Sequence, residues 1–319
     1  MGNSPRTAPE CCVRLDNTHP LQTYISLAIL PATNIVSIRM SIIHIVFCIS
    51  GNYEKLAAAA AMSAMRNTRS KLHFYILTES KHRANDVTAW VRMTKDMGHE
   101  AEFITCDCSM FQDLPNGWHW NRAHFLKFAI AELLPNLNRA IYLDADVILN
   151  RDIRALWETD LTGKPIAARY HQDYLDGTAP HFNSGVMLLD LRQWRRDDVM
   201  NSLIQIARNN DPNDFRPVYC ADQTPLNQYF KDNLLTLDRR WNSSPMYESG
   251  TPFILHYYGN YLRVPWKYPR AKKSRLWWRY CRMTPFAPFF ERMQGIMREN
   301  KFAMRLGLGS FCPTTGERL

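Results

Sequence analysis

Two aspartates beside a strand-like apolar segment are the first residues whose types and spacing could do chemistry. Asp144 and Asp146 lie within segment 140–149, with apolar residues before and after them. Two carboxylates this close at the edge of a core repel each other, and a divalent cation would remove that repulsion. Oxygen ligands suit Mg²⁺ or Mn²⁺. Because a chain of 319 residues contains about one such triplet by chance, a pair of solvated or capping aspartates is the alternative.

Five more polar residues could complete a site. His256 lies near the end of an apolar segment and could ligate a metal, although a lone strand histidine is also common in a core or on a surface. Asn183 and Ser184 precede a glycine and an apolar run, which by themselves indicate only a turn. Asp222 and Gln223 stand at the start of a predicted helix, where an aspartate is a frequent N-cap and needs no catalytic role.

These polar residues stand between segments that alternate in type from residue 42 onward. Apolar β-prone runs alternate with helix-forming runs, which predicts an α/β fold with a mixed, mainly parallel sheet flanked by helices. In open α/β sheets ligands bind beyond the carboxyl ends of the strands, so Asp144 and the turn after the first strand are the places to search. The predicted strands are 42–49, 72–77, 102–105, 140–143, 147–149, 182–189 and 253–258, and the predicted helices are 53–65, 84–97, 123–134, 191–209 and 222–230.

Composition limits the class of protein. With 46% hydrophobic and 22% charged residues, the whole chain is not disordered, collagen-like or a coiled coil. No apolar run is long enough to predict a membrane span. Eight cysteines without a CxxC pair predict thiols in a reducing compartment, which places the protein in the cytoplasm. Residues 1–40 lack periodicity and predict a poorly ordered extension without a signal peptide or lipid anchor, or an over-extended start whose natural beginning is Met40.

The net charge of +9 comes from one segment. Residues 263–282 contain eight lysines and arginines and no acid, interleaved with tryptophan and tyrosine. This combination is typical of a peripheral contact with the anionic inner face of the plasma membrane, and no nucleic-acid motif accompanies it. A solvated basic face, with the tryptophans packed on the body, is the alternative. The chain is therefore predicted to comprise the extension 1–40, a main domain 41–262 and a basic, aromatic, helical membrane-contact region 263–319.

The ordered succession of segments resembles glycosyltransferase family 8, and more narrowly its bacterial lipopolysaccharide core glucosyl- and galactosyltransferases. The resemblance covers about residues 42–267 and rests on NRAHFLKFAIAELLP, AIYLDADVIL, FNSGVMLLDLRQW, ADQTPLN and HYYG, in that order. It implies the nucleotide-binding GT-A fold for residues 41–262, a UDP-glucose or UDP-galactose donor, Mn²⁺ or Mg²⁺ as cofactor, and retention of the anomeric configuration.

The resemblance also assigns site residues. It implies that Asp144, Asp146 and His256 hold the metal. Asp222 and Gln223 would lie at the reacting sugar as catalytic residues, and because Gln223 is a poor nucleophile, a front-face attack assisted by the leaving phosphate is favoured. The contacts to the nucleotide sugar and its metal would come from Ser50, Asn52, Tyr53, Lys127, Asp144, Ala145, Asp146, Asn183, Ser184, Gly259, Arg263 and Lys267.

Several positions depart from the family pattern. Ser50 replaces a common aspartate near the uracil, and Lys127 replaces an arginine and its bidentate fork. Val264 occupies the lysine position of the family's usual Lys-Pro-Trp sequence, so Arg263 or Lys267 would supply the positive charge near the diphosphate. These changes keep the metal residues and leave the sugar undecided between glucose and galactose.

The implied activity is transfer of a hexose from a UDP-sugar to a saccharide acceptor. A lipid-linked lipopolysaccharide core acceptor is favoured, with the enzyme peripherally bound to the inner membrane face. The same transferase acting on a protein or free glycan is one alternative. A catalytically inactive membrane- or glycan-binding relative is another, and the presence of all three metal residues disfavours it.

Overall fold

The secondary structure follows the predicted alternation of strands and helices. The computed structural model describes residues 42–51, 53–114, 122–171, 181–210, 222–245, 250–258 and 273–295. The strands in this part of the chain are β1 Ile43–Ile49, β2 Leu72–Thr78, β3 Glu100–Thr105, β4 Arg139–Leu143, β5 Val147–Leu149, β6 Ile166–His171, β7 His181–Asp190, β8 Leu235–Thr236 and β9 Ile254–His256. The α-helices are α1 Tyr53–Asn67, α2 Ala84–Asp96, α3 Ile130–Leu133, α4 Arg154–Trp157, α5 Leu191–Arg196, α6 Val199–Asn209, α7 Gln223–Phe230 and α8 Ser274–Cys281, and 3₁₀ segments cover Ser109–Phe111, Arg122–Ala129 and Arg239–Asn242.

A mixed seven-stranded sheet forms the centre of the fold. Its strand order is β3-β2-β1-β4-β7-β6-β8. β1 is parallel to β2 and β4, and β2 is parallel to β3. β7 runs antiparallel to both β4 and β6, while β8 is parallel to β6. A separate antiparallel pair, β5 and β9, brings the segment after β4 together with the segment that ends at His256. The predicted mixed, mainly parallel α/β fold is confirmed.

Burial on both faces explains the continuous apolar run of β1. Ile45 and Phe47 belong to the core on one face and Val46 to the core on the other, and all three are fully buried. Because successive side chains point to opposite faces of a strand, a strand covered on both sides has no polar face. Helix α1 contributes the buried alanines 57–61 to the first core, and their small side chains allow close packing.

Three predicted elements differ in the structure. Segment 123–134 is a 3₁₀ segment followed by α3, because buried packing and the ion pairs of Lys127 override helix propensity. The helix predicted over 191–209 is divided into α5 and α6 at Asp198, whose φ of +48° is left-handed, a conformation that aspartate tolerates better than most residues. The strand predicted over 253–258 is limited to β9, and β6 and β8 are additional strands.

Helix α8 belongs to the core of the protein. Trp277 and Trp278 are 0% and 2% exposed, and the ring of Trp277 lies 5.4 Å from that of Tyr257. The hydroxyl of Tyr280 accepts a hydrogen bond of 2.8 Å from Asn67 of α1. The interpretation of these two tryptophans as membrane-contact residues is therefore wrong, because both side chains are packed inside the protein.

The predicted segment boundaries near residues 40 and 263 stay predictions. Residues 1–41 and 259–272 lie outside the described part of the chain, and so does 296–319. Within the described part, no helix is long and apolar enough to cross a membrane.

Candidate active site

Three chain segments bring Asp144, Asp146 and His256 together. Asp144 follows β4, and its backbone N–H donates a hydrogen bond of 2.8 Å to the carbonyl of Gly185 in β7. Asp146 precedes β5, and His256 ends β9 opposite the first residue of β5. The Nε2 atom of His256 lies 3.1 Å from Asp146 Oδ1 and 3.5 Å from Asp144 Oδ2. One ligand atom from each residue lies within 4.8 Å of the others, and the described residues contain no second group of this kind.

The hydrogen bonds of His256 favour a metal-binding orientation. Its Nδ1 atom lies 3.0 Å from the side-chain oxygen of the buried Asn242, which can only accept, so Nδ1 carries the proton. The other ring nitrogen, Nε2, faces two carboxylates. A positive charge at this point, either a proton on Nε2 or a bound cation, offsets the repulsion between them. The donor set, two carboxylates and one imidazole, therefore fits a divalent cation such as Mn²⁺.

Asn242 is a functional residue that sequence analysis missed. Its side-chain nitrogen donates a hydrogen bond of 2.9 Å to Asn183 Oδ1, and its backbone carbonyl accepts one from Arg169. These contacts fix the amide that orients His256, a relation typical of metal-binding histidines. In the sequence, Asn242 is visible only as an asparagine directly after Trp241, and this position does not identify its hydrogen-bond partners.

Gly185 leaves the space that the candidate metal ligands occupy. A Cβ atom built on this residue would overlap the ring of His256 and lie 2.6 Å from Asp144 Oδ2. Its backbone N–H donates a hydrogen bond of 3.0 Å to Asn183 Oδ1, so the residue also anchors the neighbouring polar network. The glycine in the sequence FNSGV is thus required for close approach and not for a turn, because it lies inside β7.

Asp144 is held as a carboxylate by three neighbours. The hydroxyl of Tyr142 donates a hydrogen bond of 2.6 Å to Oδ1, and Lys127 Nζ lies 3.1 Å from the same atom. Burial by itself would raise the pKa of Asp144, but Lys127, His256 and Tyr142 together hold that pKa well below its ordinary value. The carboxylate is therefore ionised at neutral pH.

Lys127 joins the candidate metal site to the predicted sugar site. Its ammonium lies 2.5 Å from Asp222 Oδ2 and 3.3 Å from the hydroxyl of Ser184, in addition to its contact with Asp144. Burial would lower the pKa of Lys127, but the charges of Asp144 and Asp222 outweigh it and raise that pKa above its ordinary value. The lysine predicted to contact the donor thus forms an internal ion-pair bridge between Asp144 and Asp222.

The predicted sugar-binding residues form one hydrogen-bonded cluster. Gln223 Oε1 accepts hydrogen bonds of 3.1 Å from the Asn183 side chain and from the Ser184 backbone. The hydroxyl of Ser184 donates to Asp222 Oδ2 at 3.0 Å. Asp222 makes no side-chain capping bond to α7, so the alternative of a simple N-cap is wrong. The structure brings Asn183, Ser184, Asp222 and Gln223 together with Lys127 and next to the candidate metal residues.

The remaining predicted residues are partly described. Ser50 is buried at the carboxyl end of β1, and its carbonyl accepts a hydrogen bond of 3.1 Å from Tyr53 at the start of α1. Ala145 is buried between the two aspartates. Because β1 and β4 are parallel neighbours, these residues share one edge of the sheet. The other predicted contacts lie outside the described residues; they are Asn52, Gly259, Arg263 and Lys267.

His124 is a second residue that sequence analysis missed. It precedes Lys127 by three positions in a 3₁₀ segment, where residues three apart lie on the same face. Burial lowers the pKa of His124, while the charges of Asp222, Asp144 and Asp146 oppose that shift. Its imidazole is therefore held mainly in the neutral form at neutral pH. Its spacing from Lys127 is visible in the sequence, but an α-helix was the predicted conformation there.

The fold and the grouped residues define a glycosyltransferase of the GT-A type. The family model "Glycosyl transferase family 8" matches residues 44–268. The chain belongs to glycosyltransferase family 8, as its sequence resemblance implies.

Curated relatives and solved structures agree with this assignment. Glycosyltransferase GlyF of Streptococcus pneumoniae is 30% identical over 190 residues, which cover 56% of this chain and 46% of GlyF. General stress protein A of Bacillus subtilis is 26% identical over 219 residues, or 63% of this chain and 74% of that protein. The crystal structure of galactosyltransferase LgtC with donor and acceptor sugar analogues matches with a TM-score of 0.66 and 21% identity, over 76% of this chain and 96% of LgtC. At this identity the structural match establishes the fold alone.

Proposed function

We propose that the protein transfers a hexose from a UDP-sugar to a saccharide acceptor with retention of configuration, using a divalent cation. The observation that carries the proposal is the convergence of Asp144, Asp146 and His256 on one point beside the Asn183–Gln223 cluster. A cation there would supply charge for the diphosphate leaving group, which is the chemistry that nucleotide-sugar transfer needs. The LgtC structure, which contains donor and acceptor sugar analogues, supports the same class of substrates.

Different residues of the chain would act at the diphosphate end and at the sugar end of the donor. Asp144 stays ionised and would hold the leaving-group side together with Asp146, while Asn242 fixes the imidazole of His256 toward them. On the sugar side, Gln223 accepts from Asn183 and from the Ser184 backbone, which immobilises its side chain beside the donor site. Preorganised groups of this kind need no rearrangement when charge develops in the transition state.

The contacts of Gln223 and Asp222 support a front-face displacement. An amide is a poor nucleophile, and Asp222 is the carboxylate next to Gln223 in the predicted sugar-binding cluster. Its oxygen, however, is engaged by Lys127 at 2.5 Å and by Ser184, which makes it a weak nucleophile as well. We therefore propose that the acceptor hydroxyl attacks on the side from which UDP leaves, and that the leaving phosphate takes its proton.

The favoured acceptor is a lipid-linked saccharide such as lipopolysaccharide core. This part of the proposal rests on the narrower sequence resemblance and on the basic segment 263–282, of which only residues 273–282 are described. Cations near an anionic leaflet contribute about 1 kcal/mol each, so a peripheral contact of this segment needs no membrane-inserted tryptophan.

Donor hydrolysis and transfer test the proposal. The purified protein is incubated with UDP-glucose, UDP-galactose, GDP-glucose and a truncated lipopolysaccharide, with Mn²⁺ or with EDTA. We expect one UDP-hexose to be consumed in Mn²⁺ and none in EDTA. The variant Asp146→Asn should lose on the order of a thousandfold in rate, because it removes several kcal/mol of leaving-group stabilisation.

The matched control is Asp197→Asn, which removes an exposed carboxylate that forms an ion pair with Arg196 and contacts none of the site residues described above. It should keep the parent rate. Equal consumption of donor in EDTA and Mn²⁺, or a fully active Asp146→Asn variant, would contradict the metal-dependent mechanism. Transfer to a protein or free glycan with none to lipopolysaccharide would replace the proposed acceptor but keep the enzyme class.

A further inference from the structure

A cavity lined by cations lies at the opposite end of β9 from His256. Its volume is about 330 Å³, within the range of small-molecule sites. Arg151 enters it from the segment after β5, Arg239 and Arg240 from a 3₁₀ segment, and Lys273 from the start of α8. No carboxylate is among the described lining residues, which also include Ser243 and Thr251.

The cationic side chains of the cavity differ in their contacts with the rest of the protein. The guanidinium of Arg240 is bound to both oxygens of Asp238, at 2.9 and 3.0 Å, and lies 4.2 Å from the centre of the Phe253 ring. It therefore forms a fixed wall of the cavity. Arg151 and Arg239 are exposed, and neither forms an ion pair within the described part of the chain. Cations that share one cavity repel each other, and a bound anion would relieve that repulsion.

The floor of the cavity is rigidly built. The backbone of Phe253 donates to the Arg240 carbonyl at 2.8 Å and accepts from Asn150 at 2.8 Å. Ser243 donates its hydroxyl to the Arg239 carbonyl at 3.0 Å, and its backbone N–H donates to Ile254 at 2.9 Å. These bonds tie the segment after β5 and the 3₁₀ segment to the β9 segment, so Arg151, Arg239 and Arg240 start from fixed backbone positions.

We propose that this cavity, which we call the basic cavity, binds a phosphate group. A guanidinium presents a fork of N–H donors that matches phosphate oxygens, and a phosphate has enough oxygens to accept from two such forks at once. The hydroxyl of Thr251 can donate as well. The N-terminal end of α8, an eight-residue helix that begins directly after Lys273, adds a favourable dipole.

The basic cavity and the candidate active site lie at opposite ends of β9. Phe253 and His256 are three residues apart along an extended segment, which corresponds to about 10 Å. The 3₁₀ segment serves both sites, since Asn242 orients His256 and Ser243 lines the cavity. The phosphate would thus be a second anchoring group, separate from the diphosphate of a donor. It could belong to a soluble phosphate ester or to a lipid headgroup, and both present the same chemistry.

Binding without a sugar donor tests this proposal independently of the proposed function. Glycerol 3-phosphate is titrated into the full-length protein by calorimetry at low ionic strength, with EDTA present so that no metal recruits the ester to the aspartates. The double variant Arg151→Gln/Arg239→Gln is compared with Arg66→Gln/Arg192→Gln, which removes two exposed guanidinium groups elsewhere and the same net charge. We expect about a hundredfold weaker binding in the first, since each charge-assisted pair contributes about tenfold, and less than a twofold change in the second.

A second experiment, run alongside the first, identifies the molecule that carries the phosphate. Vesicles of phosphatidylcholine with phosphatidylglycerol are sedimented with the parent protein and both double variants. Binding of the soluble ester that is lost only in the Arg151/Arg239 variant supports the proposal with a free ester as ligand. Vesicle binding without ester binding, again lost only in that variant, supports it with a headgroup as ligand. Equal weakening in both double variants, or no binding of ester and vesicles by the parent, overturns it.

Discussion

Removing the ammonium of Lys127 should leave the buried carboxylate of Asp222 without a positively charged partner. Its Nζ lies 2.5 Å from Asp222 Oδ2, and the side chains of both residues are almost fully buried, with exposed fractions of 3% and 4%. Loss of one partner of such a pair costs about 3–5 kcal/mol. Domains are stable by only about 5–15 kcal/mol, so Lys127→Met should lower the free energy of unfolding by a large fraction.

A double-mutant cycle separates this charge effect from lost packing. Lys127→Met and Asp222→Asn are measured singly and together by urea unfolding at pH 7 with EDTA present. The double variant removes the Asp222 charge that Lys127→Met leaves unpaired, so it should be more stable than Lys127→Met alone; Asp144 has lost its contact with Lys127 equally in both variants. We expect a coupling energy of at least about 1 kcal/mol, within the range for residues in one ion-pair network.

The pH dependence gives a second check with a definite sign. Asp144 has a pKa below its ordinary value in the folded protein, partly because of Lys127, so its contribution to stability is present at neutral pH and is lost as the pH falls. Below about pH 4, where unfolded aspartates take up protons, the stability difference between the parent and Lys127→Met should narrow. Strictly additive single changes at pH 7, or a difference that stays constant down to pH 3, would refute the bridging role of Lys127.

Three further predictions follow from other contacts. Gly185→Ala should abolish Mn²⁺ binding measured by calorimetry, because its Cβ would overlap the ring of His256; unchanged affinity would contradict the described geometry. Asn242→Leu should weaken Mn²⁺ binding about 10–100-fold by releasing the His256 ring, and Asn242→Asp should restore much of it, whereas equal affinities would show that the amide has no orienting role. Burial raises the pKa of Glu54, but hydrogen bonds with His82 and Lys55 outweigh it and hold that pKa below its ordinary value. Glu54→Gln should therefore destabilise the protein at pH 7 by about 1–3 kcal/mol, and in urea titrations the difference should disappear as the pH falls below about 4.5; a constant difference would rule out the charge as its cause.

The sequence predicted those features that local patterns encode. Apolar runs bounded by turns located β1, β2 and β4. The position of Asp144 and Asp146 directly after β4 identified them as candidate metal ligands. The order of segments predicted which residues would meet, although His256 lies more than one hundred residues from Asp146. In the structure they meet because β5 and β9 pair as a separate antiparallel sheet, a long-range pairing that the family resemblance implied and no local pattern encodes.

Other features depend on side-chain partners that no local pattern encodes. Asn242 is defined by hydrogen bonds to residues from β7 and β9, and nothing in its own neighbourhood indicates them. A lysine at position 127 is visible in the sequence, but its enclosure between two aspartates is not. Helix α8 is a different case, because cations on one face and aromatics on the other are expected equally for a helix lying on lipid and for one packed on protein. Only the burial of Trp277 decides between them.

The ion-pair bridge of Lys127 also sets the charge stoichiometry of the site. In formal charges, three aspartates (Asp144, Asp146 and Asp222) and one lysine sum to minus two. One divalent ion would balance that sum. An uncharged residue at position 127 would change the sum to minus three, and the same ion would then no longer balance the carboxylates. Lys127 would thus contribute to the choice of ion without touching it.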